Sequence, residues 1–215
     1  MRYLLLLLTI LLVSAPAALA QDKDYSDWEF YGGYAHERAN NGADRLDARG
    51  RRILPSGASA RVDFESERRV PMNGVMGEVV ANVHRRVGLV TNFSATWANV
   101  EFFDRLSGNT FDARLARYTL LFGPRFNARN SSPLIPFAHA LFGLTHYQAK
   151  FRNHDFSCPD SHDTAFAMGL GAGLDIRAGN RIDVRPIQVD YLPVFFDQGR
   201  EDNLRFSAGI KIKTN

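Results

Sequence analysis

The chain has 215 residues with a net charge of only +3, and 45% of its residues are hydrophobic. Because positive and negative charges nearly balance, the sequence lacks the basic tract that nucleic-acid-binding proteins carry. Cys158 is the only cysteine, so an internal disulfide is excluded. The length suits one domain that is stabilised by packing and hydrogen bonds.

Residues 1–20 have the pattern of a secretory signal. Arg2 gives a positive start, a largely apolar run extends from Leu4 to Val13, and small residues precede Ala20. The run is short for a retained membrane helix, which needs roughly 20 apolar residues. The pattern therefore predicts a signal peptide over 1–20, cleaved after Ala20, and a mature domain over 21–215.

The mature sequence alternates apolar and polar or small residues, as β-strands do. The clearest case is the segment from Phe166 to Arg177, in which large apolar residues alternate with glycines and then with Asp175 and Arg177. The glycines disfavour a helix. The alternation predicts eight strands, at about 27–36, 73–84, 87–98, 113–127, 135–147, 164–178, 182–195 and 203–213.

The connections between these segments alternate between long and short. The long ones are 36–72, 99–112, 148–163 and 196–202. Transmembrane barrels place short turns in the periplasm and longer loops outside. The pattern therefore favours an all-β fold, an eight-stranded antiparallel up-and-down transmembrane β-barrel, over a soluble lipocalin-like carrier, which would have an apolar lumen.

Several stretches resemble a known family. They are Phe122–Arg125, Pro136–Gly143, Phe166–Asp175, Asp183–Tyr191 and Asn203–Gly209. They are similar to the outer-membrane β-barrel domain proteins of the small OmpA/OmpX type that lack a C-terminal peptidoglycan-binding domain. One departure is the C-terminus, since such barrels usually end on an aromatic residue and this chain ends on Asn215.

The resemblance implies a bacterial outer-membrane location for the barrel domain over 21–215 and carries no catalytic motif. The partners it implies are outer-membrane lipid, lipopolysaccharide and the barrel-assembly machinery. We expect a monomer with a structural or surface-interaction role, without a cofactor, bound metal or nucleic acid. The alternative from another class is an envelope enzyme that modifies lipid A.

Seven polar residues are predicted to face the lumen. They are Glu78, Arg125, Asp175, Gln188, Asp190, Arg205 and Lys211. A charge that faces the bilayer midplane costs on the order of 2–4 kcal/mol, so the alternation should turn these residues inward. Inside a narrow barrel they would pair as a packed structural network. A pore or a proton path is the functional alternative.

Three other groups carry possible chemistry. His154, Cys158 and His162 include ligands that a transition metal accepts, but their spacing matches no established zinc pattern. His139 and Ser207 are candidates for a hydrolase, yet no spacing joins them to an acid. We therefore expect neither a metal site nor catalysis.

The segment from Glu37 to Arg69 is rich in both arginine and acidic residues. Its guanidinium groups match the geometry of phosphate oxygens, which raises contact with lipopolysaccharide as a possibility beside ordinary solvation.

Overall fold

The computed structural model describes residues 25–40, 51–53, 59–61, 64–65, 69–104, 110–151, 161–196 and 199–214. The predicted signal peptide and cleavage site lie outside these residues. The long strands are β1 Trp28–Asn40, β5 Arg69–Asn82, β6 Val87–Asp104, β7 Thr110–Asn127, β8 Leu134–Phe151, β9 Ser161–Arg177, β10 Ile182–Phe196 and β11 Gly199–Lys213. Three short strands lie between β1 and β5, namely β2 Arg51–Ile53, β3 Ser59–Arg61 and β4 Phe64–Glu65.

The eight long strands form one closed antiparallel barrel. Neighbours follow the order β6-β5-β1-β11-β10-β9-β8-β7, and the pairing of β6 with β7 closes the ring. The first and last strands pair from Glu29↔Lys213 to Arg38↔Leu204. The predicted eight-stranded antiparallel barrel is confirmed. Within the described residues, no helix is long and apolar enough to cross a membrane.

The strands extend well beyond the predicted segments at one end of the barrel. Strands β6, β7 and β8 each have 18 residues, whereas crossing a membrane takes about 9–11. The ladder continues through polar pairs such as Glu101↔Asp112, where the backbone groups pair with each other rather than with water. Only 197–198 then separate β10 from β11, while 178–181 separate β9 from β10. The predicted strict alternation of long and short connections is therefore wrong. The number of strands, which was predicted from the alternation of apolar and polar residues, is right.

The polarity of the barrel is the reverse of that of a soluble protein. Large apolar side chains point outward and are exposed, including Leu120 at 54%, Leu144 at 56% and Ile210 at 54%. The largest fully buried side chains are instead cationic: Arg117, Arg125, Arg185, Arg205 and Lys211. An exposed apolar wall around a charged interior suits a lipid solvent. The soluble-carrier alternative required the opposite arrangement.

A β-bulge interrupts the alternation in β10. The register with β11 shifts between Arg185 and Gln188, and the register with β9 shifts between Val184 and Ile187. Pro186 has no N–H group to give to the ladder, which is why a bulge forms readily there. Pro186 and Ile187 both face outward, so Arg185 and Gln188 are both buried in the lumen.

A candidate functional site in the barrel lumen

Asp175 is the centre of a buried ion cluster. Its side chain is fully buried on β9 and accepts hydrogen bonds from Arg125 Nη2 at 2.7 Å, Arg185 Nε at 2.7 Å and Lys211 Nζ at 2.8 Å. These cations come from three other strands, β7, β10 and β11. A single carboxylate thus ties together side chains from four strands.

Glu78 on β5 extends this cluster across the lumen. Arg185 Nη1 lies 2.6 Å from its Oε2, and Arg125 Nη1 lies 3.5 Å from the same oxygen. The other oxygen, Oε1, accepts hydrogen bonds from Asn92 Nδ2 at 2.9 Å and Gln188 Nε2 at 3.2 Å. Arg185 therefore bridges two buried carboxylates, which offsets the large desolvation penalty of burying its charge.

Two aromatic rings hold the guanidinium groups in place. The Cζ atom of Arg185 lies 4.1 Å from the ring centroid of Tyr31 and 4.3 Å from that of Phe137. Arg125 lies 3.6 Å from the Phe137 ring. Stacking on aromatic faces is favourable for a planar, weakly hydrated guanidinium and fixes its orientation.

A second cluster forms around Asp190. Its Oδ2 accepts from Arg205 Nη2 at 2.9 Å and Nε at 3.0 Å, and its Oδ1 lies 2.9 Å from His139 Nε2. Gln188 Nε2 donates to both Asp190 and Glu78 and so joins the two clusters. The structure therefore brings all seven of the sequence-predicted lumen residues into one hydrogen-bonded network.

The network reaches the rim formed by the short turns. Lys211 Nζ also lies 3.1 Å from Glu29 Oε2 and 3.0 Å from Asp183 Oδ2. Arg129 pairs with Glu29, and Lys213 Nζ lies 2.6 Å from Asp183 Oδ1. Sequence reasoning missed these partners, and it missed Arg185, because strict alternation counted back from Gln188 turns Arg185 outward. The signal that could have found Arg185 is Pro186 in mid-strand, which marks a bulge.

A separate charged group lies nearer the loop end. Arg117 pairs with Glu37, and its Nη2 lies 3.4 Å from Glu201 Oε2. Thr96 Oγ1 donates to Glu37 Oε2 at 3.2 Å, and the Tyr147 ring centroid lies 4.8 Å from Arg117. The charged side chains at the loop end of the lumen are therefore paired with one another.

Apolar side chains interrupt the polar ones along the lumen. On β7 the inward residue Leu121 stands between Arg117 and Arg125, and it packs with Leu141 and Leu192 in a buried cluster. A further apolar cluster, which includes Met72 and Leu115, lies beyond Arg117 toward the loops. The first of these layers separates the two charged groups, which favours a packed plug over a water-filled path.

Gly171 makes room for the His139–Asp190 pair. A Cβ atom at this position would lie 2.0 Å from Asp190 Oδ1 and 2.5 Å from His139 Nε2. Any side chain there would displace the hydrogen-bonded pair. The glycines on the inward face of β9 are thus part of how the lumen accommodates its long polar side chains.

The hydrolase alternative requires a serine, a histidine and an acid that converge at one rim. The structure supplies an acid for His139, namely Asp190, but the pair is fully buried. Ser207 is not hydrogen-bonded to His139, whose Nδ1 has no partner among the described residues. The nucleophile of a triad is therefore missing from this pair.

The predicted absence of a metal site concerned residues that lie mostly outside the structure. His154 and Cys158 are not among the described residues, and His162 is exposed near the start of β9. Its ring centroid lies 6.4 Å from that of His146 on β8. Within the described part of the chain, no three His, Cys, Asp or Glu side chains are grouped as metal ligands.

Comparison with known proteins places the fold. Residues 5–211 match the sequence model of the family described as outer membrane protein beta-barrel domain. No curated protein sequence matches the chain. Solved structures share the fold at low sequence identity, among them three that are covered almost completely.

The first is Ail, the attachment invasion locus protein of Yersinia pestis, with 15% identity, a TM-score of 0.51 and coverage of 87% of this chain and 99% of Ail. The second is Neisserial surface protein A, with 11% identity, a TM-score of 0.57 and coverage of 89% and 100%. The third is OprG from Pseudomonas aeruginosa, with 12% identity, a TM-score of 0.50 and coverage of 89% and 97%.

Proposed function

Because this chain belongs to the outer membrane protein beta-barrel domain family, we propose that it serves in the bacterial outer membrane as a sealed structural barrel. Its contacts with other molecules would be made through its outer wall and its loop end, and not through its lumen. It would neither catalyse a reaction nor conduct.

The observation that carries this proposal is the combination of an exposed apolar wall with a filled lumen. Seven carboxylates are buried inside, at Glu29, Glu37, Glu78, Asp175, Asp183, Asp190 and Glu201, and each of them has a cationic partner in the described lumen. Among the described residues, a buried and ion-paired interior is unlike the mostly apolar clefts in which substrates bind. The outer wall and the rims are the surfaces that remain available.

Export and assembly follow the usual route for such a barrel. We propose that the signal over 1–20 is removed after Ala20, and that the barrel-assembly machinery then inserts the barrel as a monomer with its short turns in the periplasm. Lipid and lipopolysaccharide would surround its wall.

Fractionation combined with gel mobility tests the location. The protein should be found in the outer-membrane fraction, and its mobility should change on boiling, because a closed barrel resists detergent until heated. The intact mass of the purified protein should correspond to a chain that begins at Gln21. A protein in the soluble periplasm with no boiling-dependent shift would overturn the proposal.

The His139–Asp190 pair is the observation that keeps the lipid A-modifying enzyme as a second candidate. Mass spectrometry of lipid A from cells with and without the protein separates the two. We expect identical lipid A in both. A mass change that disappears with His139→Gln would favour the enzyme instead.

A further inference from the structure

Two histidines lie side by side on the outer wall near the loop end. In the β8–β9 ladder, His146 stands opposite Thr164. Gln148 stands opposite His162, so the two histidines are diagonal neighbours. Ala149, which alternates with the β8 pair, is buried on the inward side. The two histidines, Gln148 and Thr164 therefore share the outward face, and we call these four residues the histidine-pair site.

The neighbours of His146 fix which of its ring nitrogens carries the proton. Its Nε2 atom lies 3.4 Å from the amide nitrogen of Gln148, and its Nδ1 atom lies 2.8 Å from the hydroxyl oxygen of Thr164. Because an amide nitrogen can only donate, Nε2 is the acceptor, and Nδ1 then donates its proton to the hydroxyl. The lone pair of Nε2 therefore points toward Gln148, which is the register partner of His162.

This arrangement of hydrogen bonds is typical of a histidine that binds a metal ion. Such a histidine donates its second ring nitrogen to an outer partner, which fixes the tautomer and makes the binding nitrogen more basic. The hydroxyl of Thr164 has that position beside His146. The contact between Nε2 and Gln148 is long for a hydrogen bond, so an ion that replaced it would displace only a weak interaction.

The second ring is within reach of the same ion. The ring centroids of His146 and His162 are 6.4 Å apart, and the ring planes are inclined by 41°. An ion bonded at about 2.0–2.1 Å to one nitrogen of each ring requires centroids that are roughly 5–6 Å apart. His162 is exposed and the χ2 torsion of histidine is broad, so a small rotation of its ring closes the difference.

The chemistry of the site selects the kind of metal. Its donors are two imidazoles, an amide and a hydroxyl, while the neighbouring carboxylate, Asp163, accepts a hydrogen bond from the backbone N–H of Thr164 at 2.7 Å. Lys150, the next outward residue on β8, adds a positive charge. Mg²⁺ and Ca²⁺ prefer oxygen ligands, whereas imidazole suits copper, nickel and zinc. Of these ions Cu²⁺ binds most tightly, and two nitrogens completed by water suit its tetragonal geometry.

We propose that the histidine-pair site binds one Cu²⁺ ion through Nε2 of His146 and a ring nitrogen of His162. Thr164 is the positioning residue that holds His146 in the binding tautomer, and water completes the coordination. The sequence alone does not indicate this site, because only the β8–β9 ladder brings the two histidines together. The site lies on the outer wall, so the barrel would bind a metal without the use of its lumen.

Electron paramagnetic resonance of Cu²⁺ added to the detergent-folded barrel tests the site. The full chain is used without a histidine tag, and Cys158→Ser serves as the parent so that the thiol neither binds nor reduces the ion. We expect one bound ion per chain, with couplings to two imidazole nitrogens. His146→Gln and His162→Gln should each weaken binding by more than about 100-fold, since loss of an outer partner alone costs roughly 10–100-fold. His36→Gln, which removes an outward histidine of β1 near the same end, is the matched control and should bind as the parent does.

Two further variants test the role of Thr164. Thr164→Val should weaken Cu²⁺ binding about tenfold, because Nδ1 of His146 loses its outer partner. Thr164→Ser keeps the hydroxyl and should bind as the parent does. Equal binding by Thr164→Val and the parent would show that the hydroxyl does not position the ring.

Three results would overturn the site itself. They are equal binding by the parent and both histidine-pair variants, a coupling to a single imidazole nitrogen, and a loss in His36→Gln as large as that in His146→Gln. Every variant should keep the gel shift on boiling, because these side chains lie outside the lumen. A change in Cu²⁺ binding then reports on the site and not on loss of the barrel.

Discussion

Asp175 illustrates how single residues hold this lumen together. It accepts hydrogen bonds from Arg125, Arg185 and Lys211, and all four side chains are buried. A carboxylate in such a position balances positive charges that cannot reach water. Removal of one partner from a buried ion pair is far more damaging than replacement of the whole pair, because the remaining charge stays desolvated.

Asp175→Ala should therefore destabilise the barrel by about 3–5 kcal/mol. The measurement is a urea titration of folding into lipid vesicles. Asp163→Ala, which removes an exposed carboxylate from the same strand, is the control and should change stability by less than about 0.5 kcal/mol. Equal stability of the parent and Asp175→Ala would show that the charge is not needed in the lumen.

Gly171→Leu should also destabilise the protein, by roughly 1–3 kcal/mol, because the new side chain would overpack a filled lumen. A Cβ atom there already meets Asp190 and His139, whereas one at Gly32, on the outward face of β1, meets nothing within 4 Å. Gly32→Leu is thus the matched control and should be nearly neutral. The same urea titration compares the two, and the idea fails if both variants behave alike.

At the scale of single residues, the sequence alone predicted the direction of the lumen side chains well. Alternation and the penalty for charge in lipid are enough to turn Asp175, Arg205 and Lys211 inward. The alternation did not predict the inward direction of Arg185, because the bulge in β10 shifts the alternation by one residue. The sequence also does not predict that His139 pairs with Asp190, because the two residues lie on strands that are distant in sequence and a period of two carries no information about which strands pair.

The strands themselves have two unlike faces, and β9 shows this most clearly. Leu170 is 49% exposed on its outer face, while Asp175 on its inner face is fully buried. The strand also runs past the apolar band at its loop end, starting at Ser161. The sequence could not predict this extension, because polar residues are as compatible with a loop as with a solvent-exposed strand.

Leu170→Arg should lower the free energy of unfolding by roughly 2–4 kcal/mol, as expected for a charge near the bilayer midplane. The same substitution at His162, in the headgroup region of the same strand, should cost no more than about 1 kcal/mol. Folding titrations into vesicles measure both. Equal effects of arginine at Leu170 and at His162 would show that the outer face of β9 does not contact lipid.

The bulge in β10 permits a deletion that a regular strand would not. Removal of Pro186 leaves Ile187, which has an N–H group to give to the ladder, as the single outward residue between Arg185 and Gln188, and it restores the register with both β9 and β11. The deletion variant should therefore still fold and shift on boiling. Deletion of Ala172 from β9 is the control, and it should abolish folding, because a slip of one residue turns Asp175 toward lipid. If the two deletions had the same effect, the bulge would not be a single extra residue of β10 relative to its neighbours.

The described part of the molecule is a ring in which its first and last residues, Tyr25 and Thr214, lie at the rim of the short turns. Backbone hydrogen bonds join Thr214 N to Trp28 O and Lys213 N to Arg181 O at that rim. The connections at the other end include 41–68 and 152–160, and these are the segments that would face the surroundings of a cell. The ring and its strand order followed from the sequence pattern, whereas the lengths of the connections did not.

Protease added to intact cells should cut the chain within 41–68 or 152–160 and spare 83–86 and 178–181, because the outer membrane shields the periplasmic turns. Mass spectrometry of the fragments locates the cuts, and permeabilised cells provide the control for accessibility of the turns. Cleavage of intact cells confined to 83–86 and 178–181 would mean that the barrel is inserted the other way round.

The seam between β1 and β11 has a consequence for how the chain can fold. Its register joins residues from opposite ends of the chain, such as Glu29 and Lys213, so the last strand to be exported completes the first ladder. Contacts between such distant residues form slowly. Until they form, the open sheet exposes unpaired edge strands, which invite pairing with other chains. We therefore expect the barrel to close last at this seam, and a chain that lacks β11 to leave β1 and β10 with unpaired edges that promote aggregation.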